Sequence, residues 1–187
     1  MKEIARPTLH VFAGPNGSGK STLYDLYSVQ SDGFKKLPFI NAYETSVNLN
    51  IGRYEAAKFV RDESDRLISE NVSFCWETVF SQPVKVDYLQ YAKACGYQVV
   101  LYAVGTDHPD ISVENVVKRV EQGGHDVGHE QIIWRWKSFT SVDLYRALRC
   151  ASEAYLFNFD GVNMNEFGRL DSEGNYHFDR PPVWFKP

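Results

Sequence analysis

The sequence has few cysteines, no long apolar run and no excess of basic charge. Its 187 residues include three cysteines, Cys75, Cys95 and Cys150, which are far apart and form no C-x-x-C pair. An odd number of dispersed cysteines is typical of reduced thiols in a cytoplasmic protein, not of a disulfide framework or a metal site. We therefore expect a cytoplasmic protein.

Two further absences concern membranes and nucleic acids. No apolar run approaches the roughly 20 residues of a membrane-spanning helix, and residues 1–7 lack the apolar segment of a secretory signal. The 24 acidic side chains outnumber the 20 basic ones, which gives a net charge of −4. Proteins that bind nucleic acids usually carry a basic surplus. We therefore expect no membrane and no nucleic acid as partners.

The hydrophobic pattern alternates between short β-like runs and helical periodicity. With 43% hydrophobic residues the chain can bury a core of its own, and we predict a single domain over residues 1–187. Such alternation is typical of βαβ units and predicts an α/β fold, a parallel β-sheet flanked by helices. Strands are predicted at residues 8–13, 37–40, 72–76, 97–104 and 155–159, helices at 20–29, 53–70, 84–95, 112–122, 129–138 and 142–154, and a C-terminal hairpin within 164–185.

Three local features refine this prediction. Ser112 is a good N-cap residue for the helix at 112–122. In the helix at 53–70, Ala56, Phe59, Val60 and Leu67 are predicted to share the buried face. On its other side, Arg61 with Asp65 and Asp62 with Arg66 have the spacing of ion pairs one helical turn apart.

The clearest motif directly follows the first predicted strand. It matches the phosphate-binding pattern G-x-x-x-x-G-K-S/T at every fixed position, and it comprises Gly14, Pro15, Asn16, Gly17, Ser18, Gly19, Lys20, Ser21 and Thr22. The three glycines can adopt positive φ, which lets the loop turn its N–H groups toward a polyphosphate at a helix N-terminus. Lys20 is expected on the β- and γ-phosphates and Ser21 on Mg²⁺. The motif predicts binding of a nucleoside triphosphate, with ATP and Mg²⁺ as the expected cofactors.

Polar residues also follow the other predicted strands, where ligands bind in parallel sheets. Asn41 and Glu44 follow the second strand, and Glu77 and Thr78 follow the third. Further along come Arg119, the segment 123–127 and Arg135. Each has an ordinary alternative, because most arginines are exposed and Gly123 and Gly124 could simply end a helix. His125 could likewise be a plain loop residue.

Taken together, these segments resemble the zeta-toxin family of P-loop kinases, in particular its short members. The resemblance runs over residues 8–159 and is carried by A-G-P-N-G-S-G-K-S-T at 13–22, F-I-N-A at 39–42, W-E-T at 76–78, R-V-E-Q-G-G-H-D-V at 119–127 and I-I-W-R-W at 132–136. It implies a P-loop kinase-like fold and ATP-dependent phosphorylation of the 3′-hydroxyl of a UDP-N-acetyl sugar such as UDP-N-acetylglucosamine. It also implies a cognate antitoxin protein as partner.

The resemblance also implies roles for individual residues. Lys20 matches the phosphate-loop lysine and Ser21 the magnesium ligand, while Arg119 and Arg135 match the pair that holds the transferred phosphoryl group. Planar guanidinium groups suit the charge that spreads over the phosphoryl oxygens in the transition state. The expected substrate contacts are Asn41, Glu77, Thr78, Gly124 and His125, and the loop at 123–127 is expected to be a mobile cover.

One position departs from the family pattern. The family carries an aspartate that removes the proton from the sugar hydroxyl where this chain has Tyr43. A phenol, with an ordinary pKa near ~10, is a poor proton acceptor at neutral pH. Three explanations stay open: Glu44 is the base, Glu77 is the base, or catalysis is impaired.

Two other functions remain alternatives to a sugar-nucleotide kinase. The chain could be a nucleotide-binding protein that transfers little or no phosphate and acts through a protein partner. It could also be a kinase of another small substrate. A nucleic-acid kinase is disfavoured by the acidic composition.

Overall fold

A single seven-stranded sheet organises the part of the chain that the computed structural model describes, residues 6–80 and 82–186. The prediction about a secretory signal falls largely on residues 1–5, outside this part. The strands lie in the order β2-β3-β1-β4-β5-β6-β7. Their bounds are β1 Thr8–Ala13, β2 Phe39–Asn41, β3 Phe74–Thr78, β4 Gln98–Thr106, β5 Glu153–Phe159, β6 Met164–Leu170 and β7 Tyr176–Phe178.

Helices connect the parallel strands. Their bounds are α1 Lys20–Gln30, α2 Asp32–Lys35, α3 Ala42–Asn48, α4 Arg53–Ser69, α5 Pro83–Ala94, α6 Pro109–Glu121, α7 His129–Ser138 and α8 Leu144–Cys150, with a π-helical segment, Phe139–Asp143, between the last two. No helix within residues 6–80 and 82–186 combines the length and the apolar composition that a membrane span needs.

The predicted α/β class is confirmed. Strands β1 to β5 pair in parallel, with β1 in the middle between β3 and β4. Within β1, the adjacent residues Val11 and Phe12 point to opposite faces and are both fully buried, as expected of a central strand covered on both faces. The carboxyl ends of β1, β2 and β3 therefore meet at one edge of the sheet, where the polar residues singled out above follow them.

The C-terminal hairpin is also confirmed, and it extends the sheet. Strand β6 pairs antiparallel with β5 and then with β7. The Asp171 carboxylate closes the turn by accepting hydrogen bonds from the backbone N–H groups of Glu173 and Asn175. Beyond β7, Trp184 and Phe185 return to the main core, and the Trp184 indole donates to Asn158 in β5.

Several local predictions were wrong. The helix predicted to start at Ser112 starts at Pro109 and is capped by the His108 side chain. Ser112 lies inside that helix and is buried because its backbone packs closely against Gly17. The helix predicted at 142–154 is shorter, since α8 ends at Cys150 and residues 153 and 154 already belong to β5.

The predictions for α4 were partly right. Ala56, Val60 and Leu67 are buried, whereas Phe59 is 48% exposed. The pair Arg61–Asp65 forms at 3.0 Å. Arg66 does not pair with Asp62 but contacts Glu63 and Glu70, which also lie within one helical turn.

An aromatic cluster fills the face of the sheet that packs on α1. The rings of Phe12 and Tyr102 stack at 4.5 Å, and Tyr102 stacks on Tyr155 at 5.4 Å. His10 lies in this cluster, 4.6 Å from the ring of Phe34, and its Nδ1 is 3.4 Å from the Tyr102 hydroxyl. Burial among these rings lowers the pKa of His10 from 6.5 to about 4.

This buried histidine predicts a pH dependence of stability. Between about pH 6.5 and 4 the unfolded chain binds a proton at His10 that the folded chain does not. The free energy of unfolding should therefore fall as pH falls through this window. Urea unfolding at pH 7.0 and 4.5 should show a smaller pH effect in a His10→Gln variant than in the wild type. An equal difference in unfolding free energy between the two pH values in both proteins would contradict a buried, neutral imidazole at His10.

Candidate functional site

The phosphate loop occupies the turn between β1 and α1. Gly17 and Gly19 have φ of 77° and 93°, a backbone conformation that residues other than glycine rarely adopt. Gly14 differs from the expectation because its φ is not positive. It is needed for space, since a Cβ there would collide with the carbonyl oxygen of Val104 in β4.

Lys20 begins α1 and points back over the loop. Its side chain is only 6% exposed, and Nζ donates to the carbonyl oxygen of Pro15 at 3.1 Å. Burial lowers the pKa of Lys20, Glu77 acts in the opposite direction, and Arg119 and Arg135 lower the pKa further. An ammonium group that is buried beside two other cations is poised to bind an anion.

Ser21 lies next to Lys20 and faces β3. Its hydroxyl donates to the Glu77 carboxylate at 2.8 Å. Glu77 and the buried Thr78 end β3, which is aligned with the end of β1 through the pairing of Thr78 with Ala13. The predicted magnesium ligand and the predicted substrate residue are thus direct neighbours.

The two arginines are not ordinary surface residues. Arg135 donates from Nη1 to Asn16 of the phosphate loop at 2.6 Å, and Arg119 donates from Nη2 to the carbonyl oxygen of His125 at 2.8 Å. The Nε atoms of both arginines are buried and have no hydrogen-bond partner among the residues that the structure describes. Each arginine therefore has one donor that no described residue satisfies.

The two adjacent glycines have separate structural roles. Gly123 has φ of 82° and follows the end of α6, so the helix-ending alternative holds for it. A Cβ at Gly124 would lie 2.6 Å from Cγ of Arg119. Any residue larger than glycine at this position would therefore collide with the Arg119 side chain. Substrate contact by Gly124 and mobility of the loop at 123–127 remain predictions.

Asn41 has a structural role that its sequence context did not indicate. Its side-chain oxygen accepts from the backbone N–H groups of Tyr43 at 2.8 Å and Glu44 at 3.3 Å, and so it caps α3. This cap fixes the direction in which α3 leaves β2. A substrate contact through the remaining amide group stays a prediction.

Tyr43 stacks across the site on His125. The ring centroids are 5.4 Å apart, and the planes differ by 22°. Nδ1 of His125 also lies 3.3 Å from a guanidinium nitrogen of Arg53 in α4. Burial lowers the pKa of His125, and Arg53 and Arg119 add to the effect, which favours the neutral ring. We call these three residues the Tyr43–His125–Arg53 cluster.

Glu44 follows Tyr43 and also faces the site. Burial raises the pKa of Glu44, and the nearby carboxylates of Glu77 and Asp25 raise it further. A carboxylate whose pKa is raised is a stronger proton acceptor than an ordinary one. The pKa of Glu44 is thus shifted in the direction that general-base catalysis requires.

A cleft of about 900 Å³ brings these residues together along the carboxyl edge of the sheet. The predicted residues that line it are Asn16, Gly17, Gly19, Lys20, Ser21, Thr22, Asn41, Tyr43, Glu44, Glu77, Thr78, Arg119, His125 and Arg135. The lining does not include four of the predicted residues, Gly14, Pro15, Ser18 and Gly124.

The cleft also contains residues that sequence reasoning missed. Asn115 donates to the carbonyl oxygen of Gly17 at 2.8 Å, and its position one turn before Arg119 on the same helix could have indicated it. Phe159, Val162 and Met164 line the end near β5. Tyr88 and Lys85 of α5 line the opposite end, and no motif pointed to them.

Known proteins resemble this chain in sequence. The family model described as zeta toxin matches residues 1–142. An uncharacterized protein of Haemophilus influenzae is 25% identical over 130 residues, which cover 67% of this chain and 89% of that protein.

Solved structures share the fold at low sequence identity. A chain of the AvrRxo1-ORF1:AvrRxo1-ORF2 complex has a TM-score of 0.75 at 15% identity, and the match covers 96% of this chain and 63% of that one. The same complex with ATP gives a TM-score of 0.70 at 14% identity, over 94% of this chain and 61% of the solved chain. A chain from the PezAT toxin–antitoxin system of Streptococcus pneumoniae gives a TM-score of 0.68 at 17% identity. That match covers 98% of this chain and 78% of the solved chain. These matches show a P-loop kinase-like fold.

The geometry of Lys20 predicts the effect of removing its charge. In Lys20→Met the affinity for ATP should fall about 10- to 100-fold, because a charge-assisted hydrogen bond to phosphate is lost. Thermal unfolding should occur at the same or a higher temperature, because a buried ammonium is removed. Calorimetric titration with ATP and thermal denaturation measure the two effects. Equal ATP affinity in both proteins would contradict the assignment of the phosphate loop.

Proposed function

The chain is a member of the zeta toxin family, and we propose that it transfers the γ-phosphoryl group of ATP to a hydroxyl group of a UDP-N-acetyl sugar. One observation carries the proposal. Lys20, Arg119 and Arg135 converge on a single cleft, and both arginines keep a buried donor without an acceptor among the described residues. A transferring phosphoryl group would supply the missing acceptors.

The order of the strands in the sheet supports assigning different functions to the two ends of the cleft. The phosphate loop follows the central strand β1, with β4 and β5 on one side and β3 and β2 on the other. Phe159 and Met164 line the β5 side, where their apolar surfaces suit the base of ATP. Glu44 and Glu77 lie on the β2 and β3 side, which we assign to the acceptor hydroxyl.

The cations would act mainly on the transition state. Charge spreads over the phosphoryl oxygens as the bond to ADP breaks, and fixed guanidinium groups stabilise that charge without reorganising. Arg135 is anchored to Asn16 and Arg119 to the backbone of His125, so both are held before substrate binds. Mg²⁺, when bound, would be held by Ser21 and would neutralise charge on the β- and γ-phosphates.

Glu44 is our proposed base. Burial and two neighbouring carboxylates raise its pKa, whereas Glu77 already accepts a hydrogen bond from Ser21. The proton of the acceptor hydroxyl would pass to the Glu44 carboxylate as the oxygen attacks the γ-phosphorus. Tyr43 lies beside Glu44. When the sugar binds, the Tyr43 ring would have to move away from His125 or share the acceptor end of the cleft with the sugar.

The same stack supports a second candidate, a protein that binds ATP but transfers little phosphate and acts through a partner. An aromatic ring of this size at the acceptor end restricts access to the site. A neighbour of this fold was solved with ATP, and another comes from a toxin–antitoxin system. Under either candidate we expect a cognate antitoxin as partner and action in the cytoplasm.

Replacing the two candidate bases, Glu44 and Glu77, separates their roles. Glu44→Gln should lower kcat about 10²- to 10⁴-fold, the usual contribution of a general base. Glu77→Gln should act mainly through Ser21 and Mg²⁺, and so should raise the Mg²⁺ concentration needed for activity. Transfer of labelled phosphate from ATP to UDP-N-acetylglucosamine measures both effects.

Tyr43→Asp, with Tyr43→Phe as its control, tests whether catalysis is impaired. If the tyrosine silences the enzyme, the wild type is inactive and only the aspartate restores transfer. If Glu44 is the base, the wild type is active and Tyr43→Phe leaves kcat within a few-fold. Absence of transfer to any UDP-N-acetyl sugar by both the wild type and Tyr43→Asp would refute the proposed function.

Gly124 offers a test of how Arg119 is positioned. In Gly124→Ala the new methyl group should displace the Arg119 side chain, and a shift of about 1 Å can cost about 10²-fold in kcat. Gly128→Ala is the matched control, because φ there is −54° and nothing lies within 4 Å of a Cβ. ATP affinity should change little in either variant. Equal kcat in the two variants would contradict the positioning role.

A further inference from the structure

Lys85 is a cation of the cleft that has no place in the mechanism described so far. It lies in the first turn of α5, and its Nζ donates to the carbonyl oxygen of Val79 at 3.0 Å. Burial, together with the positive charges of Arg135 and Lys20, lowers the pKa of Lys85 to about 8. Among the described residues no ion pair includes Lys85.

The location of Lys85 defines which part of a ligand it can reach. The segment that carries it follows β3, which lies between β1 and β2 in the sheet. Lys85 lines the same cleft as Lys20, Arg119 and Arg135. It therefore approaches this space from the acceptor side, opposite the ends of β4 and β5.

We propose that Lys85 is a fourth cation of the phosphoryl-transfer site and contacts the γ-phosphoryl group of ATP from the acceptor side. This inference rests on the proposed function. A neutral carbonyl is a weak partner for an ammonium group, and an anionic oxygen forms a stronger hydrogen bond with it. The approach of the γ-phosphate would therefore draw Nζ away from Val79.

The contact has a consequence that a merely structural lysine lacks. Near pH 8 a substantial fraction of Lys85 is uncharged in the free protein. A neighbouring phosphate dianion favours the charged form, so binding of a triphosphate should transfer a proton from the buffer to Lys85. At pH 8 the uptake at this residue should reach up to about half a proton for each ligand bound. Binding of ADP, which lacks the γ-phosphate, should cause no such uptake at Lys85.

Calorimetric titration of the whole chain with Mg²⁺ and the non-hydrolysable analogue AMP-PNP tests this at pH 8. Running each titration in two buffers of different ionisation enthalpy gives the number of protons taken up. Lys85→Met should lose the uptake and bind AMP-PNP about 10- to 100-fold more weakly. Lys85→Arg should also lose the uptake but keep most of the affinity, because its guanidinium stays charged. ADP titrations should be alike in all three proteins.

Lys93→Met provides the matched control, since Lys93 is exposed on the same helix. It should behave as the wild type does. Equal proton uptake in wild type and Lys85→Met would overturn the role of Lys85 and leave the proposed function intact. An equal loss of affinity for ADP and for AMP-PNP in Lys85→Met would do the same. Failure of the wild type to bind AMP-PNP would overturn both.

Discussion

Positive charge gathered beside the phosphate loop is the constraint on which the rest of this structure depends. Lys20 is buried next to Arg119 and Arg135, and Glu77 is the carboxylate whose charge opposes theirs at Lys20. Like charges in one cleft repel, so they stay together only where the fold holds them. Here the central strand β1 supplies the loop, and helices α6 and α7 supply the arginines. The binding of a polyphosphate would relieve the repulsion.

The contacts that hold these cations are polar but mostly uncharged. Arg135 is fixed by an amide side chain, Arg119 and Lys20 by backbone carbonyl oxygens. Such partners orient a cation without neutralising it, which leaves its charge available to a ligand. Gly124 contributes by its lack of a side chain, because any Cβ would occupy the space of Arg119. The acceptor end is held differently, by the Asn41 cap on α3 and by the Tyr43–His125–Arg53 cluster.

Much of the fold could be predicted from the sequence, because its signals are local. The alternation of apolar runs predicted the five parallel strands, and the C-terminal hairpin was predicted within residues 164–185. The errors fell where tertiary contacts outweigh local preference. Ser112 is a good capping residue, yet the chain buries it against the phosphate loop and begins the helix three residues earlier. Phe59 has helical spacing with its apolar neighbours but lies at the margin of the buried face.

The sequence by itself determined the phosphate loop and the family, because glycine spacing, a lysine and a hydroxyl in fixed order are a covalent pattern that folding does not alter. Only the tertiary structure decided which distant side chains share the cleft. It paired Ser21 with Glu77, stacked Tyr43 on His125, and placed Lys85 in the same cleft as Arg135. The physical reason is that charge coupling and burial depend on distances through space, and these arise only when parallel strands align their carboxyl ends at one edge.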